Sequence, residues 1–156
     1  MRKIILSLLF MLCITSIGYA QDYRTGIGLR AGYFNGLTVK HFIAENTAVE
    51  GLFASRWHGF EITGLYEIQH HFFDVGGLNW YYGLGAHIGF WDGNYTNWGT
   101  PGENYAVIGV DGIIGLEYNF SEIPFNIGLD WKPAINIIGF TGFWADGGAL
   151  SIRYIF

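Results

Sequence analysis

Hydrophobic and polar residues alternate with period two in the segment Ala149–Phe156. Its bulky residues Leu150, Ile152, Tyr154 and Phe156 are separated by small or charged ones, with Ile155 as the exception. Successive side chains of a β-strand point to opposite faces, so one face of this segment is bulky and apolar. We predict a strand whose apolar face points out of a barrel into lipid.

Turn-forming residues divide the chain after residue 20 into eight segments of this kind. Asn35-Gly36 is the strongest short hairpin signal among them. The stretch 92–106 lacks periodicity and predicts a long loop, and a Gly- and aromatic-rich loop is expected at 139–147. The predicted strands are 24–34, 37–43, 48–56, 60–72, 79–91, 107–120, 125–132 and 149–156.

The two faces of these strands differ in a consistent way. In strand 79–91, Trp80, Leu84 and Phe90 lie on one face, whereas Gly85 and His87 lie on the other. A water-soluble barrel needs large apolar residues inside, but glycine fills a core poorly. A narrow lumen lined by small residues, with bulky residues facing lipid, satisfies the pattern. We predict an all-β fold, an eight-stranded antiparallel up-and-down transmembrane β-barrel.

The first twenty residues have the pattern of a secretory signal peptide. Arg2 and Lys3 precede an apolar run at 4–17, and Gly18-Tyr19-Ala20 offers small residues for cleavage before Gln21. Cleavage removes Cys13, the chain's one cysteine, so no disulfide is expected. The predicted organisation is a cleaved leader at 1–20 and one barrel domain at 21–156, exported to the outer membrane of a Gram-negative-type envelope.

The residues after the leader carry six basic and 13 acidic side chains. This negative balance argues against nucleic acid as a partner. If the amino-terminal end of the barrel is periplasmic, the compact turns at 44–47, 74–77 and 121–124 lie in the periplasm and the loop 92–106 lies outside. Aromatic residues near the strand ends then form two interfacial girdles.

The chain resembles the small eight-stranded outer-membrane barrels, of the outer-membrane protein X type or the membrane domain of outer-membrane protein A. The resemblance rests on the leader, the strand count, the asymmetry of turns and loops, and the ending Leu150, Ile152, Tyr154, Phe156. It implies a monomer in outer-membrane lipid and lipopolysaccharide, and an ending read as an assembly signal by the barrel assembly machinery. It does not fix a function, because such barrels serve several. The first two outer loops are shorter than in typical members.

Charged side chains on the inward faces are nearly balanced. Because unpaired charges are costly in a narrow lumen, we interpret them as a network that plugs the barrel, with an ion or solute pathway as the alternative. Asp130, Arg153 and Arg30 lie on consecutive strands and are expected to be neighbours. The predicted lumenal charges are Arg30, Lys40, Glu50, Arg56, Glu61, Glu67, Asp111, Glu117, Asp130, Lys132 and Arg153.

The alternative function is a lipid-A-modifying enzyme, a deacylase or acyltransferase. Ser55, His58 and Glu61 lie close together in sequence and are the best candidates for nucleophile, base and orienting carboxylate. Loops are rich in polar residues by default, so we favour a non-enzymatic barrel with a structural or surface-interaction role. We predict neither a cofactor nor a metal, because adjacent His70 and His71 point to opposite strand faces.

Aromatic residues in the outer loops have two interpretations. Tyr95, Trp98 and Tyr105 lie in the long loop, and Phe143 and Trp144 lie in the last one. They suit either the outer interfacial girdle, which we favour, or contact with sugars or partner proteins.

Overall fold

The computed structural model describes residues 23–56, 58–73, 75–145 and 147–156. The leader predicted at 1–20 lies outside these residues. Within the described part, the chain forms strands and no helix. The strands are β1 Thr25–Gly32, β2 Asn35–Ala44, β3 Thr47–Arg56, β4 Gly59–His71, β5 Leu78–Asp92, β6 Asn104–Asn119, β7 Phe125–Trp131, β8 Ala134–Ile138, β9 Gly142–Trp144 and β10 Gly148–Ile155.

The strands form one closed antiparallel sheet. Each of β1 to β6 pairs with its sequence neighbour, and β10 pairs with both β1 and β7. β7 and β8 pair in succession with β6, so together they occupy the seventh position in the barrel. β9 pairs with β8 as β10 pairs with β7, so β9 and β10 together occupy the eighth position. The prediction of an all-β, eight-stranded antiparallel barrel is confirmed.

The seventh and eighth positions are interrupted. Pro133 separates β7 from β8, because proline has no N–H to donate to the sheet. Its carbonyl still accepts a hydrogen bond from the Gly112 N–H at 2.9 Å. Opposite this break, β9 ends at Trp144 and β10 begins at Gly148. The stretch predicted as a loop at 139–147 therefore contains strand β9.

The prediction of a turn at Asn35-Gly36 is wrong. Both residues belong to β2, where Gly36 pairs with Arg30 on one side and Ala54 on the other. The chain turns at Tyr33 and Phe34 instead, and Asn35 Oδ1 accepts a hydrogen bond from the Gly32 N–H at 3.1 Å. Phe34 is buried in an aromatic cluster, so its packing overrides the local turn signal.

The inward faces combine glycine with a few large residues. A Cβ added to Gly115 would lie 2.5 Å from Tyr81 Cζ, and one added to Gly89 would lie 2.1 Å from Trp91 Cη2. The missing side chains at these positions therefore leave the space that Tyr81 and Trp91 fill. This packing explains why glycine is frequent on the same faces as two buried aromatic rings.

The outer face has the opposite character. Large apolar side chains are exposed on every position of the barrel, and the described part of the chain has no helix long and apolar enough to span a bilayer. Exposed examples, one from each barrel position, are Leu29, Val39, Phe53, Ile62, Leu84, Ile114, Leu129 and Leu150.

Candidate functional site

The lumen contains two charge clusters, separated by an apolar layer and closed above by aromatic rings. We name the end where β1 begins the lower end, and the end with the loop 93–103 the upper end. The lower charge cluster consists of Lys40, Arg153, Glu50, Glu67 and Glu117, all of them buried. The upper charge cluster consists of Arg30, Lys132, His87, Glu61, Asp111 and Asp130, which are also buried.

Two cations hold three carboxylates in the lower charge cluster. Arg153 Nη2 donates to Glu50 Oε1, and its Nη1 lies 4.0 Å from Glu117 Oε2. Lys40 Nζ lies 3.0 Å from Glu67 Oε2 and 3.1 Å from Glu117 Oε2. Glu117 therefore links the two cations, and Arg153 is fully buried among its partners.

Neutral donors complete the lower charge cluster. The Tyr23 hydroxyl donates to Glu117 at 3.1 Å, and Gln69 Nε2 donates to the same carboxylate at 2.9 Å. Burial, followed by the charge of Glu117, raises the pKa of Tyr23 well above its ordinary value, so this hydroxyl keeps its proton. The Thr38 hydroxyl donates to Glu50 and accepts from Arg153 Nε at 3.1 Å.

An apolar layer lies between the two charge clusters. It consists of Leu52, Leu65, Tyr81 and Ile113. The Tyr81 ring lies 3.9 Å from Lys40 Nζ below it, and its hydroxyl lies 3.5 Å from Asp130 Oδ2 in the upper charge cluster. A cation is attracted to the face of an aromatic ring, so Tyr81 contacts both clusters while filling the space between them.

The upper charge cluster is built from more separate pairs. Arg30 Nη2 donates to Asp130 Oδ1. Lys132 Nζ donates to Asp111 Oδ1 at 2.6 Å and to Glu61 Oε1 at 3.1 Å. Each permanent cation therefore has its own carboxylate partners, and of these Glu61, on β4, reaches Lys132 across the lumen.

His87 is a member of the upper charge cluster that the sequence interpretation omitted. Its Nδ1 lies 2.8 Å from Asp111 Oδ2, and its Nε2 lies 2.9 Å from Asn136 Oδ1. With acceptors at both ring nitrogens, the imidazole can donate from both when it is protonated. The strand parity of His87 already placed it inward. Its partners could be identified only from the register of β5 and of β8 against β6.

Aromatic rings close the upper end above the charges. Phe34 and Trp91 are buried in this cluster, and Trp98 and Trp144 pack against them. Phe34 and Trp144 are stacked with ring centroids 6.0 Å apart. A cavity of about 10 Å³ lies beneath these rings beside Arg30 and the other charges, and a space of this size holds about one water molecule.

The structure places ten of the eleven predicted lumenal charges in the two charge clusters. Arg56 lies outside them, at the upper end of β3, where its Nη1 donates to the Tyr33 carbonyl at 2.9 Å and its guanidinium lies 3.5 Å from the Tyr33 ring centroid. Arg30 contacts Asp130 as its strand position suggested. Arg153 lies lower in the barrel and contacts Glu50, because the strand register pairs Arg30 with Ser151 and Asp130 with Ala149, two and four residues before Arg153 on β10.

The three candidate catalytic residues lie in different surroundings. Ser55 Oγ donates to the Gly59 carbonyl at 2.9 Å, and the His58 ring stacks on Tyr95 with centroids 4.0 Å apart. Glu61 points into the lumen and contacts Lys132. No hydrogen bond connects these three side chains to one another in the described part of the chain.

The other histidines lie at the lower end, on or beside the outer face. His41 Nδ1 lies 2.9 Å from Thr25 Oγ1, and the His70 ring stacks on Trp80 with centroids 5.1 Å apart. Among the residues that the structure describes, no group of three or more His, Cys, Asp or Glu side chains is arranged to hold a metal ion.

The bulky residues of the last strand lie on the outer face. Leu150 and Ile152 are exposed there, and the Tyr154 ring contacts Phe125 and Phe156 with centroids 5.6 and 6.1 Å apart. The four residues predicted as an assembly signal therefore form one continuous apolar surface.

No family model, curated protein or solved structure matches this chain. Any statement of function therefore depends on its own sequence and geometry.

Proposed function

We propose that this chain is a small integral outer-membrane β-barrel with a closed lumen and a structural or surface-interaction role, without enzymatic activity. One observation supports the membrane location above all others: apolar side chains cover the outside, while ten charged side chains fill the inside. Monomeric water-soluble proteins rarely expose apolar patches larger than a few hundred Å². Lipid is the solvent in which this distribution lowers the free energy.

The outer aromatic residues support a membrane of ordinary thickness. Phe60 and Phe90 contact each other near the upper end, and Trp80 and Tyr82 stack near the lower end. Phe90 and Trp80 lie ten residues apart on β5. This separation is about 34 Å along the strand and about 25 Å along the membrane normal at a tilt of about 45°. This height equals the usual apolar band of a membrane barrel.

The layered lumen supports a closed barrel rather than a pore. A solute would have to separate the buried ion pairs of both charge clusters and displace Tyr81 and the aromatic rings above. Breaking one buried pair by removing a partner costs about 3–5 kcal/mol. The charges therefore serve to fill and stabilise the lumen.

The remaining parts of the proposal come from the sequence. The pattern at 1–20 supports export through a cleaved leader, and the ending Leu150, Ile152, Tyr154, Phe156 supports recognition by the barrel assembly machinery. The apolar outer wall makes outer-membrane lipid and lipopolysaccharide the expected surroundings of a monomer. In these features the chain is similar to the small barrels of the outer-membrane protein X type.

The membrane location is tested by refolding the chain into phosphatidylcholine vesicles. We expect the folded chain to migrate differently on a gel before and after boiling, and the fluorescence of Trp80 and Trp131 to be quenched by brominated lipid. A chain that folds to the same β-rich state in buffer without lipid or detergent contradicts the proposal.

The closed lumen and the non-enzymatic role are tested separately. In planar bilayers we expect no conductance steps above the baseline, and frequent steps contradict a closed lumen. Mass spectra of lipid A from cells with and without the chain are expected to be the same. An altered acyl pattern overturns the non-enzymatic role.

A further inference from the structure

A groove on the outer face near the upper end combines apolar and polar surfaces in two rows. It has a volume of about 380 Å³, within the range of small-molecule sites. Phe60, Phe90 and Ala106 form the lower row, where β4, β5 and β6 pair side by side. The small side chain of Ala106 leaves the depression beside the two rings.

The second row lies one step higher on the same face. Asp92 and Asn104 pair with each other two residues beyond Phe90 and Ala106, about 7 Å further along the strands. His58 borders this row on the other side. The distance from the aromatic lower row, which forms the floor of the groove, to the hydrogen-bonding groups of the second row is therefore about the size of one sugar ring.

An exposed aromatic stack stands beside the polar row. His58 has a backbone φ of 56°, in the left-handed region that costs free energy for a residue other than glycine. Its ring is held against Tyr95 with centroids 4.0 Å apart, and Tyr95 remains 53% exposed. The stack therefore presents a flat, accessible aromatic surface at the mouth of the groove.

The charges of the groove select among polar ligands. Asp92 lines it, and Glu103 lies next to it, bonded to the Tyr105 hydroxyl at 2.9 Å. No lysine or arginine belongs to the lining within the described residues. Phosphate sites use arginine, lysine or clustered N–H donors, so this rim disfavours a phosphorylated ligand and favours hydroxyl donors.

We propose that this groove binds an uncharged pyranose ring. The flat C–H face of the sugar lies on the His58–Tyr95 stack. Its hydroxyl groups donate to Asp92 Oδ2, because Asp92 Oδ1 already accepts from Asn94, and to the side-chain oxygen Oδ1 of Asn104. The aromatic floor below suits the acyl chain of a glycolipid in the outer leaflet. This choice of glycolipid depends on the proposed membrane location, whereas recognition of the sugar ring does not.

The test uses the full barrel in phosphatidylcholine nanodiscs and methyl β-D-glucopyranoside as the probe. Saturation-transfer difference NMR is expected to show transfer to the sugar ring protons. Tyr95→Ala is expected to reduce the transfer at least fivefold, and Asp92→Asn at least threefold. Tyr66→Ala is the matched control, because Tyr66 is also 53% exposed but lies on the outer wall away from this groove, and it should leave the transfer unchanged.

Three results overturn the sugar site. These are equal transfer in Tyr95→Ala and Tyr66→Ala, no transfer to the unmodified barrel, and stronger transfer to glucose 6-phosphate than to the uncharged glycoside. Each variant must first show the heat-dependent gel shift of the folded barrel, so a lost signal cannot result from misfolding.

The source of the sugar is resolved by adding glucosyl-diacylglycerol to the nanodiscs. A glycolipid that occupies the groove lowers the transfer to the free glycoside, and unchanged transfer contradicts the glycolipid and leaves a free saccharide as the ligand. If the chain instead folds in buffer without lipid, the membrane proposal fails, and the same titration in buffer still tests the groove.

Discussion

The lower and upper charge clusters both compensate buried carboxylates with buried cations, but they do so in different ways. Each contains three carboxylates and two permanently charged cations. The lower cluster adds neutral donors such as Tyr23, and the upper cluster adds His87. In the lower cluster Arg153 contacts partners from four other strands, whereas Arg30 and Lys132 in the upper cluster have separate carboxylate partners. Stability is therefore expected to depend on one residue below and on several residues above.

The largest effect is expected for Arg153→Met. This change leaves Glu50 buried without its cation, and removing one partner of a buried ion pair costs about 3–5 kcal/mol. The free energy of unfolding in lipid vesicles, measured by urea titration, should fall by that amount. Arg24→Met is the control, because Arg24 is exposed and should change stability by less than about 0.5 kcal/mol. Equal losses in the two variants contradict the role of Arg153.

Lys132→Met should have the next largest effect, about 2–3 kcal/mol in the same titration. It leaves Asp111 and Glu61 without their shared donor, but His87 still contacts Asp111. The double change Lys132→Met with Glu61→Gln should recover part of the loss, because it removes an uncompensated carboxylate. A loss larger than that of Arg153→Met reverses the proposed ranking of the two clusters.

His87→Gln should destabilise the barrel by about 1–2 kcal/mol, since it removes a donor from the buried Asp111 carboxylate. His71→Gln, at the exposed end of β4, serves as the control. Thermal unfolding followed by the gel shift measures both variants. If His87→Gln is no less stable than His71→Gln, His87 contributes nothing to the upper cluster.

Tyr23→Phe should have the smallest effect, about 1 kcal/mol, because Gln69 and both cations still contact Glu117. The matched control is Tyr66→Phe, which removes the same hydroxyl from the outer wall. The comparison with His87→Gln shows whether a neutral donor below contributes as much as the histidine above. A loss from Tyr23→Phe above about 3 kcal/mol would mean that Glu117 depends on the hydroxyl more than on its cations.

The alternation of residue types made the eight barrel positions and the inward faces predictable. Period-two patterns depend only on the geometry of the strand, so even the isolated Arg153 was assigned to the inward face before any contact was known. The irregular seventh and eighth positions were harder to predict from the sequence, because the short strand β9 is defined by pairing with β8 rather than by its own three residues. The turn at Tyr33-Phe34 likewise follows from burial of Phe34.

The partners within the clusters could not be predicted in the same way. Strand parity places Asp130 and Arg153 in the lumen, but the tilt of the strands decides which residues meet across it. Neutral partners such as Gln69 and Asn136 gave no charge signal, although their parity is inward. The two-row groove required the register of three strands and the position of a loop residue, Tyr95.

The pairing of β1 with β10 has a consequence for how the barrel assembles. Gly26 pairs with Ile155, so this seam joins segments that lie far apart in the sequence, and closing so long a loop costs more entropy than forming local hairpins. Arg153 lies on β10, but its partners Thr38 and Glu50 come from β2 and β3. Until the seam closes, these groups stay hydrated. Once it closes, their pairing holds β10 to β2 and β3. Opening the barrel must first separate these paired groups and expose them to water again, and this step slows unfolding.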